Sequence, residues 1–154
     1  MKLKFLIVLA LGVMMVSCGN EKAKEEVAKS PVKEEVKIEA AIIDPMTDKG
    51  VGPIKSITLG DIDKAMVAEG EAIFKAKCTA CHKISKRFVG PGLKGVTERR
   101  TPEWIMNMIL NPELMVAENA TAKALLAEYS APMANQNLTE EEARAILEYL
   151  RTKN

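Results

Sequence analysis

Apolar and polar residues follow three regimes along this chain. Phe5 to Val16 is apolar apart from Gly12 and follows the basic Lys2 and Lys4. A membrane-spanning helix needs about 20 apolar residues, so this shorter run reads as the core of an export signal. The pattern then disappears. Residues 19–50 hold six Lys and eight Asp or Glu, repeated Ala and Val, and no aromatic residue; Pro31 interrupts any helix. Mixed charge with so little hydrophobic content predicts a solvated tether, reaching on the order of 35 Å on average. Residues 51–60 place Ile54, Ile57 and Leu59 in an extended-looking stretch and predict a lead-in strap.

From about residue 61 apolar positions recur at helical spacing. Ile62, Met66, Gly70, Ile73 and Phe74 form one face of a helix from about Asp63 to Lys77, capped by Asp61 or Asp63. Gly70 costs about 1 kcal/mol against Ala in a helix interior. On the apolar stripe, it predicts a close helix crossing. Thr101-Pro102 opens a short helix through Trp104 to Leu110, which Asn111-Pro112 ends or bends. A further helix covers about Ala120 to Tyr129, with Ala124, Leu125 and Ala127 among its apolar positions. Ser130 to Asn135 reads as loop. The last helix is the clearest: Thr139 and Glu142 form a capping box, and Ala143, Ile146, Leu147 and Leu150 follow i, i+3, i+4, i+7. No strand pattern competes after residue 60, so the domain is all-α, with four to five helices.

Composition adds two facts. Formal net charge is +1, which gives no electrostatic reason to expect a nucleic-acid partner. Only six residues are aromatic, few for a self-sufficient core of this size. A large flat apolar group would complete it.

The sequence supplies a place for one. Two of the three cysteines and the only histidine fall in Cys78-Thr79-Ala80-Cys81-His82, the arrangement that attaches a c-type haem. Each thiol adds across a vinyl group, and the adjacent His ligates the iron. A thioredoxin-type motif would want a βαβ context, whereas these flanks read helical. A structural zinc site would need four ligands, and no second Cys/His cluster exists to supply them. One CxxCH means one covalent haem per chain.

His82 fills one axial position, and no second His exists for the other. Met suits the sixth position because it is soft, uncharged and raises the potential. Met133 has the best context, following Pro132 in the loop before the last helix. Met115 is its rival, and an open site is the remaining alternative. The first cysteine, Cys18, ends the apolar leader in Met15-Val16-Ser17-Cys18-Gly19, which resembles a bacterial lipobox. Residues 1–17 are then a lipoprotein signal, 18–50 a lipidated tether, 51–60 the lead-in and 61–154 the haem domain.

From about Asp61 to Thr152 the chain resembles a class I cytochrome c. Gly70 and Phe74 match the first helix of that family, and Tyr149 the aromatic of its last. Gly90-Pro91-Gly92-Leu93 matches the loop whose Pro carbonyl accepts the ligand His N–H. Arg99, or the adjacent Arg100, matches a propionate partner, and Met133 the ligand loop. The resemblance implies the class I fold around one covalent haem c and a periplasmic one-electron carrier, not an enzyme. Haem-binding residues would be Cys78, Cys81, His82, Pro91, Arg99 and Met133, with His82 and Met133 on the iron. Lipid on Cys18 would hold it to the periplasmic face of a bacterial membrane. Gly19 in place of an inner-membrane retention Asp favours the outer one. Partners would be a respiratory donor and an acceptor such as a terminal oxidase or reductase, nitrous oxide reductase among them. Eight basic residues against Glu98 alone between Lys75 and Arg100 suggest a basic docking rim. The alternatives are an open-site peroxidase or gas sensor, and a permanent subunit of a larger oxidoreductase.

Overall fold

A computed structural model describes residues 44–154. The expected signal segment, Cys18 and most of the expected tether lie outside the described residues. The described part is all-α: α1 (Lys64–Lys77), a 3₁₀ turn (Val96–Glu98), α2 (Pro102–Leu110), α3 (Pro112–Glu118), α4 (Ala120–Tyr129) and α5 (Glu140–Arg151). Among the described residues there is no strand.

Each helix starts where a side chain can take up free amides of its first turn. Asp63 accepts from Ala65 and Met66, Thr101 from Trp104, Asn111 from Leu114, and Asn119 from Ala122. Thr139 and Glu142 form the expected capping box on α5. Three details differ from the sequence reading. Ile62 precedes the cap of α1 and is exposed, so it is not on the helix face. Asn111-Pro112 does not merely end α2: Asn111 caps a new helix, α3, with Pro112 in its first turn. On α4 the inward positions are Ala122, Leu125, Leu126 and Tyr129, while Ala124 and Ala127 are exposed.

The central packing event is the crossing of α1 and α5. Gly70 lies so close to α5 that a Cβ there would run into the Ala145 carbonyl and sit 2.9 Å from the Ile146 nitrogen. One turn on, the Phe74 and Tyr149 rings meet with centroids 5.3 Å apart, tilted by 40°. Ala143, Ile146, Leu147 and Leu150 are all buried, as their spacing predicts.

The expected tether stops earlier than its charge suggests. Residues 44–50 belong to the folded unit, because Asp48 is buried against Thr101, Asn119 and Thr121. Gly50 adopts φ +69°, and Gly52 leaves no room for a Cβ beside the Asn107 amide. Asn107, itself buried, accepts from the Ile54 nitrogen at 2.9 Å and donates to the Lys49 and Ile54 carbonyls. The far end of the strap is held by α5. Glu148 is fully buried and accepts from Arg144 and Arg151, and Arg151 also donates to the Gly60 carbonyl at 2.8 Å.

Replacing Gly70 with Val tests the crossing. Overpacking typically costs about 1–3 kcal/mol, and the obstacle here is backbone that no rotamer change moves aside. Gly70→Val should therefore lose about 3 kcal/mol of unfolding free energy, read by denaturant titration of the mature protein.

Candidate functional site

α1 ends at Lys77, and its ladder continues one residue further, from the Cys78 nitrogen to the Phe74 carbonyl. The chain then turns back on itself: Cys81 and His82 both donate their backbone N–H to the Cys78 carbonyl, at 3.1 and 2.8 Å. This turn brings Cys78, Cys81 and His82 to the wall of one cavity. Thr79 and Lys83 brace it through the Lys75 and Thr79 carbonyls, both at 2.7 Å.

The loop after His82 is pinned residue by residue. Gly90 donates to the Cys81 carbonyl at 2.9 Å, Leu93 to Lys83 at 3.0 Å and Lys94 to Ile84 at 2.7 Å. The result places the Pro91 carbonyl 3.1 Å from His82 Nδ1. A carbonyl oxygen only accepts, so Nδ1 carries the proton and Nε2 keeps a free lone pair. Gly90 lies against the ring itself, since a Cβ there would be 2.6 Å from Cε1.

The cavity has a volume of about 260 Å³ and a mostly apolar wall. Phe74 from α1, Trp104 and Ile109 from α2, Leu125 and Tyr129 from α4, and Ile146 and Leu150 from α5 all contribute. Met133 reaches the same cavity from the loop between α4 and α5. Ser130 and Asn137, both in the left-handed region at φ 52° and 53°, bracket that loop. Asn135 ties it to the end of α2 through the Leu110 carbonyl at 3.3 Å.

Six of the residues singled out in the sequence therefore converge: Cys78, Cys81, His82, Pro91, Arg99 and Met133 line one cavity. Arg100 lines it too. Arg99 donates to the Lys94 carbonyl at 2.6 Å and bends towards Gly92, so it also braces the loop. Met115 is elsewhere. It is fully buried, and its sulfur accepts the Val51 N–H at 3.1 Å. The sequence reading left Trp104, Leu125 and Tyr129 as ordinary helix residues. It also missed Asp48, Asn107 and Asn119, which hold the strap. Asn119 had a signal that went unread: an Asn directly before an Ala-rich helix is a cap.

The chemistry of the walls fits a covalent haem and little else. Burial, with a smaller contribution from the Cys81 charge, pushes the Cys78 thiol up to about 11. A redox-active CxxC works through a lowered thiol pKa, the opposite of this environment. Among the described residues, no group of three or more His, Cys, Asp or Glu could hold a metal ion. What the cavity offers is a mostly apolar wall carrying two free thiols, an imidazole and a thioether.

Comparison with known proteins points the same way. The family described as Cytochrome c matches residues 67–154. The chain is 31% identical over 86 residues to cytochrome c-551 of Ectopseudomonas mendocina, covering 55% of this chain and 98% of that protein. A 47% identical match to cytochrome c-551 of Stutzerimonas stutzeri spans 36 residues, 35% of that protein. The solved structure of a cytochrome c from Rhodothermus marinus superposes with a TM-score of 0.64 at 49% identity, over 66% of this chain and 88% of that one. The crossing of α1 and α5, the cavity beside it and these likenesses place the chain in the cytochrome c family, as a haem-based electron-transfer protein of the class I all-α fold with one covalently attached haem c.

Proposed function

We propose that this chain is an exported, lipid-anchored one-electron carrier. In this reading Cys78 and Cys81 hold the haem through thioethers, His82 and Met133 ligate the iron, and Arg99 meets a propionate. The haem supplies the Fe(II)/Fe(III) couple. The protein's part is to keep both ligands in place in either state, so that little reorganises when an electron moves. One observation carries the reading. His82, fixed by the Pro91 carbonyl, and Met133 line the same apolar cavity, while the rival Met115 is spoken for by Val51. A closed coordination sphere leaves no place for a substrate, which favours carrier over peroxidase or gas sensor.

Docking at the rim of this cavity accounts for a second set of residues. Phe88 is 53% exposed and its neighbour Val89 43%, so the two place adjacent apolar surface in the loop after His82. The Lys83 ammonium sits 5.0 Å over the Phe88 ring. Not every basic residue of the expected rim is free: Lys75 pairs with Glu71 and Arg87 with Glu128. Lys77, Lys83, Lys86 and Lys94 remain to attract an acidic respiratory partner around an apolar centre.

The membrane attachment rests on the sequence of residues 1–18. Among the described residues no helix is long and apolar enough to cross a membrane, so lipid on Cys18 is the proposed anchor.

Met133→Ala should abolish the weak far-red iron–sulfur charge-transfer band of the ferric protein and open the ferrous protein to carbon monoxide. If Met115→Ala does this instead, the ligand assignment is wrong. Electron transfer to the physiological acceptor should slow by roughly an order of magnitude between about 10 mM and about 500 mM salt. A rate indifferent to salt would remove the steering role. Cys18→Ser should release the protein from the membrane into the soluble periplasmic fraction, with its haem spectrum unchanged.

A further inference from the structure

The Met133 loop starts directly where α4 stops, so α4 decides where the loop begins. α4 is pinned at both ends by segments distant in sequence. At its C-terminal end, Arg87 from the loop after His82 donates to the Glu128 carboxylate at 3.2 Å and the Glu128 carbonyl at 3.0 Å. Its guanidinium also lies 4.0 Å from the centre of the Tyr129 ring. At its N-terminal end the pin is Asp48, from the strap.

Asp48 is saturated there. Its carboxylate accepts from Asn119 Nδ2 at 2.9 and 3.0 Å, from Thr121 Oγ1 at 3.1 Å and from the Gly50 nitrogen at 2.8 Å. Its negative charge also lies at the positive end of α4. Asn119 passes the constraint on. Its Oδ1 accepts from the Ala122 nitrogen at 2.9 Å, which caps α4, and from Trp104 Nε1 at 3.2 Å. Trp104 lines the cavity. Asp48, Asn119 and Trp104 thus form a continuous hydrogen-bonded chain from the strap to the cavity wall, and the same Asn119 sets the start of the helix that delivers Met133.

We propose that Asp48 is a positioning residue for the sixth iron ligand: through Asn119 it fixes α4 and Trp104, and so keeps Met133 on the iron. Asp48 touches neither the haem nor the iron, and its effect is exerted through α4. The proposal rests on Met133 being the ligand. It makes Asp48 part of the haem site, where the sequence placed it in the tether.

Removing a purely structural anchor would lower the stability of the whole domain. Removing a positioning residue lowers the cost of a local opening in which Met133 leaves the iron while the helices stay folded. The experiment separates the two in the full-length mature holoprotein. Two urea midpoints are measured, one for loss of the iron–sulfur band and one for loss of helix circular dichroism. The rate of carbon monoxide binding to the ferrous protein is measured alongside. Wild type should show the band and bind carbon monoxide very slowly. If it does not, the Met133 reading fails and this inference with it. In Asp48→Ala the band should be lost at clearly lower urea than the helices, and carbon monoxide should bind about tenfold faster or more, as expected when a buried, charged hydrogen-bond acceptor is removed. Asp48→Asn should fall between the two. Thr121→Val removes one donor to the carboxylate and should move both readouts in the same direction by a smaller factor. It is the fallback if Asp48→Ala does not mature. Thr139→Ala, which breaks the capping box of α5, is the control. It should shift both midpoints together and leave the carbon monoxide rate within twofold of wild type. The proposal is overturned if Asp48→Ala, or Thr121→Val in its place, behaves like Thr139→Ala.

Discussion

Backbone touches backbone where α1 crosses α5, and everything around the haem site is measured from that contact. Gly70 admits the Ala145 carbonyl to a depth that any side chain would block. The crossing seats Phe74 on Tyr149 and turns Phe74, Ile146 and Leu150 into one wall of the cavity. Because the cysteine motif begins one residue after α1, the same contact also determines where the thiols and His82 stand. The about 1 kcal/mol that glycine costs inside a helix is small beside the burial the crossing makes possible.

The rest of the domain fits around the haem cavity. Of its few aromatic side chains, Phe74, Trp104 and Tyr129 line the cavity and Tyr149 backs it. Several carry a cation on a ring face: Arg87 over Tyr129, Arg100 over Trp104 and Lys153 over Tyr149. In each the cation is attracted to the negative face of the ring. The covalent haem adds apolar surface to a core with few aromatic side chains of its own. Rigidity on the His82 side comes from backbone hydrogen bonds along 81–94. On the Met133 side no such ladder exists, and side chains take over: Asn135 on Leu110, Arg87 on Glu128 and Asp48 on Asn119. The two halves of the site are therefore held by different physics, one local and one long-range.

The strap illustrates how a folded segment can look like a linker. Residues 44–50 share the charge and low hydrophobicity of the stretch before them. They are held to the fold by hydrogen bonds to one buried Asp, and by Asn107 saturating the backbone of the chain that passes over it. Neither feature has a period. Glu148 is similar: it reads as one more helix-surface acid, yet it is fully buried, paired with Arg144 and Arg151 over the strap.

What the sequence by itself determined was the part governed by neighbours along the chain. Helical spacing and caps located α1, α2, α4 and α5, because hydrogen bonding and amphipathicity act over three or four residues. The pentapeptide Cys78 to His82 was legible for the same reason, since its two thiols and its imidazole lie within one turn. The glycine on the α1 stripe announced a close crossing. Tertiary structure decided what depends on residues far apart. It showed that Asn111-Pro112 starts a helix, that Met115 is engaged by Val51 while Met133 faces the cavity, and that Arg87 of the basic rim is paired with Glu128 from another segment. It also carried Asp48 across 71 residues to Asn119. A polar side chain's partner at that distance leaves no local pattern, because the contact is made by the fold and not by the chain on either side of it.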